Sequence, residues 1–381
     1  MDLPVLQSLP ALLHMTPPQL RQCVDSTRAR ADQATQCMQM YFVWLALDRN
    51  DIALEMQSLA LQSRAMYRLA GPVHPRVRML MFLAPGNMQD NTPLEFVLDG
   101  SDVQLDLVFI TALGPLPEAF PEHDVVFVAI GDSDKNRPIL QRLDALLRYW
   151  PKPVLNRPSA IGNCARDTCY QRLHRIPGVW MPTTARVAVA DLGNIAFPCT
   201  IRPVDTQGGI GLRRMGSAGE LDAYVAEFTA SDYFVAEYVD YQSDDGQFRK
   251  WRLVLIDGQA YICHLAIASH WVVHYLSAGM DASADKRQEE AAAMANFEQE
   301  FLLRFGPALR AIAQALELDY VTLDCSIGRD GRLLVFEADS RGLVHAADPV
   351  DVFPYKPAVM QKAFTAFRRM VEARITYQGL E

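Results

Sequence analysis

The sequence has no CxxC pair. Its seven cysteines, Cys23, Cys37, Cys164, Cys169, Cys199, Cys263 and Cys325, are scattered, and several fall in apolar, strand-like runs. An odd, dispersed set reads as reduced, mostly buried thiols and therefore as a cytoplasmic protein. No compact Cys/His cluster has zinc-site spacing. The nearest, Cys263-His264 with His270 and His274, lacks a second half. Long apolar runs are missing too. The candidate around Leu192 to Ile201 is short and turn-rich, which excludes a membrane span. The start, MDLPVLQSLP, has no basic stretch followed by an apolar one, so no signal peptide is expected. The run VFVAIG is not followed by GxGxxG, which argues against a dinucleotide fold. Positive charge is not in excess: the formal net charge is -9. That disfavours nucleic acid and anionic membranes as partners, and still permits a locally basic pocket for phosphate.

The 381 residues, half of them hydrophobic, suffice for more than one domain. Residues 1–70 read as a helical segment. Gln19 to Leu47 and Asp51 to Leu69 are rich in helix formers, with a turn and N-cap at Arg49-Asn50-Asp51. Residues 71–183 change character. Val77 to Leu83, Leu105 to Ile110 and Val125 to Ile130 are apolar runs suited to a parallel sheet buried on both faces. Arg137 to Trp150 follows as a helix and Val154-Leu155 as a short strand, an α/β pattern. A linker is expected from Ile176 to Thr183. Beyond it come strands at Val187 to Val189, Ala196 to Pro203 and Tyr233 to Val239. A helix is expected after Ser217, with Glu220 at its third position. Trp251 to Ile256 and Gln259 to Ala266 form a hairpin through Asp257-Gly258. Lys286 to Leu318 is helical, with a kink at Gly306-Pro307. Tyr320 to Ser326 and Arg332 to Ala338 make a second hairpin, and Pro357 to Thr376 a closing helix.

Four constellations carry candidate chemistry. In the first, Arg202 precedes a turn, Gln207-Gly208-Gly209-Ile210-Gly211. Glycines let backbone N–H groups approach a phosphate, and the arginine supplies charge. A plain hairpin turn has the same composition. In the second, Glu337 and Asp339 share one strand face and Asp324 lies on the neighbouring strand. Three converging carboxylates repel without a cation, and Mg²⁺ prefers oxygen ligands. A solvated hairpin face is the alternative. In the third, Lys250 and Arg252 point to one side of a strand, as two cations holding an anion would, or as a basic edge in solvent. Arg341 is a further anchor for a substrate. In the fourth, His270 and His274 lie near Trp271 and Tyr275 as a base, a substrate contact or packing residues.

From Pro153 to Glu372 the order of these elements resembles the ATP-grasp superfamily, as in glutathione synthetase, D-alanine–D-alanine ligase and the RimK-like ligases. The resemblance begins at Asn156-Arg157-Pro158 and continues through Ile176-Pro177 and Pro182-Thr183. It implies an ATP-grasp fold with a preceding α/β domain and an N-terminal helical segment. Residues 184–240 would form the small subdomain and residues 241–381 the large one. It implies ATP and Mg²⁺, with Arg166 and Arg202 on the phosphates, where lysine is commoner; Arg172, Arg175 and Arg186 stand close to Arg166 in sequence. The glycine loop is matched by Gln207, Gly208, Gly209 and Gly211. The adenine and ribose linker is matched by Glu237, Tyr238, Val239 and Asp240. Asp324, Glu337 and Asp339 match the metal ligands, the last usually Asn, and Arg252 the family's arginine at the reacting groups, with Lys250 beside it. The implied activity is ATP-dependent ligation of a small-molecule or peptide carboxylate to an amine. An ATP-grasp kinase and a non-catalytic nucleotide-binding scaffold are the alternatives. A homo-oligomer is compatible with this reading.

Overall fold

The computed structural model describes residues 2–378. The chain forms two compact units. The first holds the chain up to Ile161, Ser340–Ala347 and the stretch from Phe364 onward; the second holds Gly162–Asp339 and Asp348–Ala363.

In the first unit four helices lie between the first strand of a sheet and the rest of it: α1 Leu9–Leu13, α2 Pro17–Arg30, α3 Gln33–Ala46 and α4 Asn50–Leu61. The single helix expected from Gln19 to Leu47 is broken. Ala31 and Asp32 are extended, and Asp32 caps α3 by accepting from Thr35 N at 2.9 Å. Arg64 fixes the same carboxylate at 2.8 Å. The stretch expected to stay helical to Leu69 ends as a strand, because Tyr67 and Leu69 alternate inward while Arg68 points to a partner.

Six strands make the sheet: β1 Val5–Leu6, β2 Met66–Leu69, β3 Val77–Leu83, β4 Val103–Phe109, β5 Val125–Val128 and β6 Val154–Leu155. Their order is β1-β2-β4-β3-β5-β6, and only the β2–β4 pairing is antiparallel. So the N-terminal segment is not helical throughout; it donates two strands to the edge of the α/β sheet. The runs in β3, β4 and β5 are buried on both faces, as continuous apolar strands in a parallel core must be. A short helix, α5 Leu94–Val97, follows β3, and α6 Arg137–Leu147 packs Ile139, Leu143 and Leu147 inward at helical spacing.

The second unit begins near α8 Arg166–Leu173, after the short α7 Pro158–Ile161. The expected linker contains a strand, β7 Val179–Trp180, which runs parallel to the edge of a later sheet. An antiparallel sheet follows, in the order β10-β9-β11-β8, from β8 Thr184–Ala188, β9 Cys199–Pro203, β10 Arg213–Met215 and β11 Asp232–Glu237. Helix α9 Ala218–Glu227 packs Leu221 and Tyr224 on Ile201 and Tyr233. Its N-cap is Ser217, and Glu220 accepts from Gly216 N at 3.0 Å.

A five-stranded sheet completes the unit: β13-β12-β14-β15-β7, with β12 Phe248–Ile256, β13 Gln259–Ala268, β14 Tyr320–Ile327 and β15 Leu333–Asp339. Both residues of the β12–β13 turn are left-handed, Asp257 at φ 49° and Gly258 at φ 77°. Between β13 and β14 run α10 Ala284–Ala295 and α11 Leu303–Leu316. The irregularity expected at Gly306-Pro307 sits earlier, in a π turn at Phe297–Leu302 that carries the buried Phe297 and Phe301. Helix α12 Lys356–Gln378 closes the chain.

One ion pair ties the antiparallel seam of the first sheet. Arg68 on β2 grips Asp106 on β4 through two bonds, 2.6 and 2.7 Å, and Asp106 is 1% exposed. Removing one partner leaves a desolvated charge. Asp106→Ala is expected to lower stability by about 3 kcal/mol, read from urea unfolding at unchanged slope. A loss under about 1 kcal/mol would show the seam does not depend on this pair.

Candidate functional site

Three neighbouring strands place the third and second constellations in one row. Lys250 and Arg252 leave β12 on the same side. Arg252 is in register with Asp324 on β14, and Asp324 with Glu337 on β15. Lys250 Nζ donates to Asp324 at 2.9 Å, and Arg252 donates through Nε and Nη2 at 2.7 and 3.0 Å. Asp324 is 3% exposed. Burial alone would raise its carboxyl, but Arg252 and Lys250 outweigh that and hold it far below the usual range.

Glu337 receives a hydrogen bond from Arg166, the first residue of α8. Burial would raise Glu337 as well; Arg166 first, then Lys250 and Arg202, bring it down. Arg166 is therefore singled out from its sequence neighbours. Arg172 donates instead to Ala315 O, and Arg186 to Asp232. Asp339 lies opposite Thr322, one strand repeat beyond Glu337. Among the described residues, no group of three His, Cys, Asp or Glu side chains converges as a metal cage. What is assembled is a pair of opposed, ionised carboxylates, on which Lys250, Arg252, Arg166 and Arg202 all bear. Such oxygens fit Mg²⁺, which commonly takes one or two carboxylates and completes its shell with phosphate and water.

The glycine loop hangs from Arg202. That side chain, 6% exposed, donates Nε to Thr206 Oγ1 at 3.1 Å and Nη2 to Thr206 O. Asp205, Gly208, Gly209 and Gly211 are all left-handed, so the chain between β9 and β10 is a loop. Gly211 has a second reason to lack a side chain: a Cβ there would lie 2.7 Å from Pro203 Cδ. Gln207 O accepts from Ile210 N at 3.0 Å, and Ile210 points outward. At the far end of β11, Glu237 N donates to Thr183 O at 2.9 Å and Tyr238 N to Pro198 O at 3.3 Å. The Tyr238 ring sits under Arg214, 4.2 Å away, and edge-on to Trp271. Val239 enters the core, and Asp240 pairs with Arg329 at 3.0 Å.

The histidines divide. His270 Nδ1 accepts from Val272 N at 3.1 Å within its own turn. His274 is exposed, yet desolvation, then Lys250 and Arg252, keep it below the ordinary histidine range. Arg341 belongs to the first unit, where its side chain lies across the Cα of Gly131.

Sequence patterns missed a buried polar network beside Arg252. His264 is in register with Arg252, and burial followed by Arg252 keeps it neutral. Its ring lies on Tyr275, centroids 4.4 Å apart. Glu290, fully buried, accepts from Leu265 N, Tyr275 Oη and Tyr355 Oη at 3.1, 2.9 and 2.6 Å. Lys356, 2% exposed, bonds Tyr275 Oη and Asp348 and lies 3.6 Å from Glu290. The one signal in the sequence was a lysine among apolar residues, Phe353-Pro354-Tyr355-Lys356-Pro357.

No family model matches the chain, and no curated protein does. Solved structures do. The D-Ala:D-Ser ligase from Enterococcus faecalis superposes with a TM-score of 0.51 at 12% identity, over 79% of this chain and 99% of that one. The D-alanine–D-alanine ligase from Coxiella burnetii gives 0.50 at 11% identity, over 80% and 96%.

A buried pair is worth most when one half is removed. Lys356→Met should cost about 3 to 5 kcal/mol in denaturant unfolding. Adding Glu290→Gln should recover part of it, since the fully buried charge is then gone and only the partly exposed Asp348 has lost its partner. Strictly additive losses would show that the two residues are not coupled. Taken together, the three sheets and the solved structures give this chain a mixed α/β fold resembling that of these ligases, with an N-terminal helical region.

Proposed function

We propose that this protein is an ATP-dependent ligase that activates a carboxylate as an acyl phosphate and joins it to an amine. One observation carries the reading: four cations from three elements, Lys250 and Arg252 of β12, Arg166 of α8 and Arg202 of β9, bear on two opposed, ionised carboxylates. A triphosphate with its metal is the ligand such an array suits. The likeness in fold to amino-acid ligases supports the same class.

In this reading Asp324 and Glu337, with Asp339 alongside, would hold Mg²⁺. When bound, the ion would neutralise phosphate oxygens and orient them for in-line transfer. Residues 184–240 act as the small subdomain. Arg166 and Arg202 draw in the phosphates, and the N–H groups of 207–211 cover them and exclude water. The backbone of Glu237 and Val239 meets adenine beside Tyr238, and Asp240 meets the ribose.

A carboxylate oxygen of the acyl substrate attacks the terminal phosphorus, and the bond to ADP breaks. The amine nitrogen then attacks the acyl carbon, phosphate leaves, and the nitrogen gives up a proton. Lys250 and Arg252 stabilise the charge that gathers on the acyl and phosphoryl oxygens. His274, kept neutral, is suited to take the proton. His270 and Arg341 stay as candidates for substrate contact. The partners are thus a small-molecule or peptide carboxylate and an amine. Among the described residues no helix is long and apolar enough to cross a membrane. The seven cysteines are free thiols, which suits a cytoplasmic setting.

Arg252→Ala should leave ATP affinity near wild type, because Lys250 still holds Asp324. Turnover should fall about 10²-fold to 10³-fold. Glu337→Gln should lose Mg²⁺-dependent turnover with its circular dichroism unchanged. The route is tested with an ¹⁸O-labelled carboxylate found by screening substrate pairs. One ¹⁸O should reach phosphate as the amide forms. Amide without label transfer rejects the acyl phosphate. A phosphorylated product that needs no amine makes the protein a kinase, and ATP binding without any turnover makes it a scaffold.

A further inference from the structure

A cavity in the first unit, outside the site just described, has a carboxylate in its wall. It lies at the C-terminal ends of the parallel strands β3 and β4, where Leu83 and Phe109 form its floor. Tyr41 and Phe42 of α3, Leu9 of α1 and residues of the segment between Asn87 and Glu95 also line it. The C-terminal edge of a parallel sheet is a usual place for ligands, because the strands end there and the loops diverge. The cavity is partly open and its volume is about 30 Å³, room for one ammonium-sized group.

Most polar groups of the wall are accounted for. Tyr41 Oη donates to Gly86 O at 2.9 Å. Asn91 accepts from Ala84 N and donates to Ala84 O, at 2.8 and 2.9 Å. The single Thr92 hydroxyl hydrogen is used by Ser340 O at 2.7 Å, with Ala129 O the alternative acceptor at 3.1 Å. Asn87 Oδ1 accepts from Gln89 N. Glu95, partly exposed by surface area, has only its own backbone N–H and, among the described residues, no cation. The wall therefore offers a ligand the Glu95 carboxylate, the side-chain amide N–H of Asn87 and many apolar atoms. A monocation with an apolar body suits that lining.

We propose that this cavity binds the protonated amino group of a small apolar amine, with Glu95 as its partner. The inference stands on the first unit alone and does not rest on the ligase reading. Burial raises the Glu95 carboxyl to about 7. The other titratable group in the wall is Tyr41, whose phenol burial, then Glu95 and Asp90, push up, so it stays neutral. Asp90 nearby already has Lys135 at 3.8 Å. An ammonium favours the charged carboxylate. Below about pH 7 its binding must release a proton, and affinity should fall about tenfold between pH 8 and pH 6.

The test uses the full chain, n-butylammonium as probe and n-butanol as its neutral counterpart, by titration calorimetry. The expected result is saturable binding of the cation at pH 8, about tenfold weaker at pH 6, and no binding of the alcohol. Glu95→Gln keeps the shape and should weaken the cation at least tenfold at pH 8. Proton release by the wild type at pH 6, measured in two buffers of different ionisation enthalpy, needs no variant. Binding unchanged in Glu95→Gln, equal binding of the alcohol, affinity independent of pH without proton release, or no binding at pH 8 would each overturn the proposal.

Discussion

Asp324 is a carboxylate with almost no access to water, and a buried charge must be answered where it stands. Arg252 and Lys250 answer it from the next strand, and that pairing depends on the register between β12 and β14. A one-residue slip would turn every one of these side chains to the other face. Glu337 is bound into the same row through β15 and brings in Arg166 from α8. The site thus follows from sheet register more than from any loop.

The second constraint lies behind Arg252. Neutral His264, its ring tilted against Tyr275, is the register partner of that arginine. Glu290 and Lys356 hold the Tyr275 hydroxyl from α10 and from the start of α12. The segments that pack on β13 are therefore fastened by polar bonds rather than by apolar contact alone. Such a network is costly unless every member is satisfied, and here the carboxylate of Glu290 has three donors.

Much of this was legible in the sequence, for identifiable reasons. A strand repeat of two put Lys250 beside Arg252 and Glu337 beside Asp339 without any structure. Continuous apolar runs announced the buried parallel strands, and Asp257-Gly258 announced its hairpin. Pairings between distant segments were not legible. Arg166 could not be separated from Arg172 or Arg186, because the choice is made by where α8 meets β15. Glu290 and Lys356 are far apart in sequence and share no motif. Met66 to Leu69 looks helical by composition, and its pairing with β1 and β4, with Arg68 on Asp106, makes it a strand. The break before α3 hides in Ala31-Asp32, since Asp32 is an ordinary helix residue until it serves as a cap. The three proposed metal ligands were read as one cluster; the structure opposes two of them and sets Asp339 one repeat beyond.

The central claim is that the cations gathered on Asp324 and Glu337 await a metal-borne polyphosphate. Calorimetric titration of the full chain with ATP and with AMP, each with and without Mg²⁺, tests it most directly. ATP should bind best with Mg²⁺ present, and AMP, which lacks the outer phosphates, should bind far more weakly in either condition. AMP binding as tightly as ATP, or ATP binding indifferent to Mg²⁺, would contradict the account.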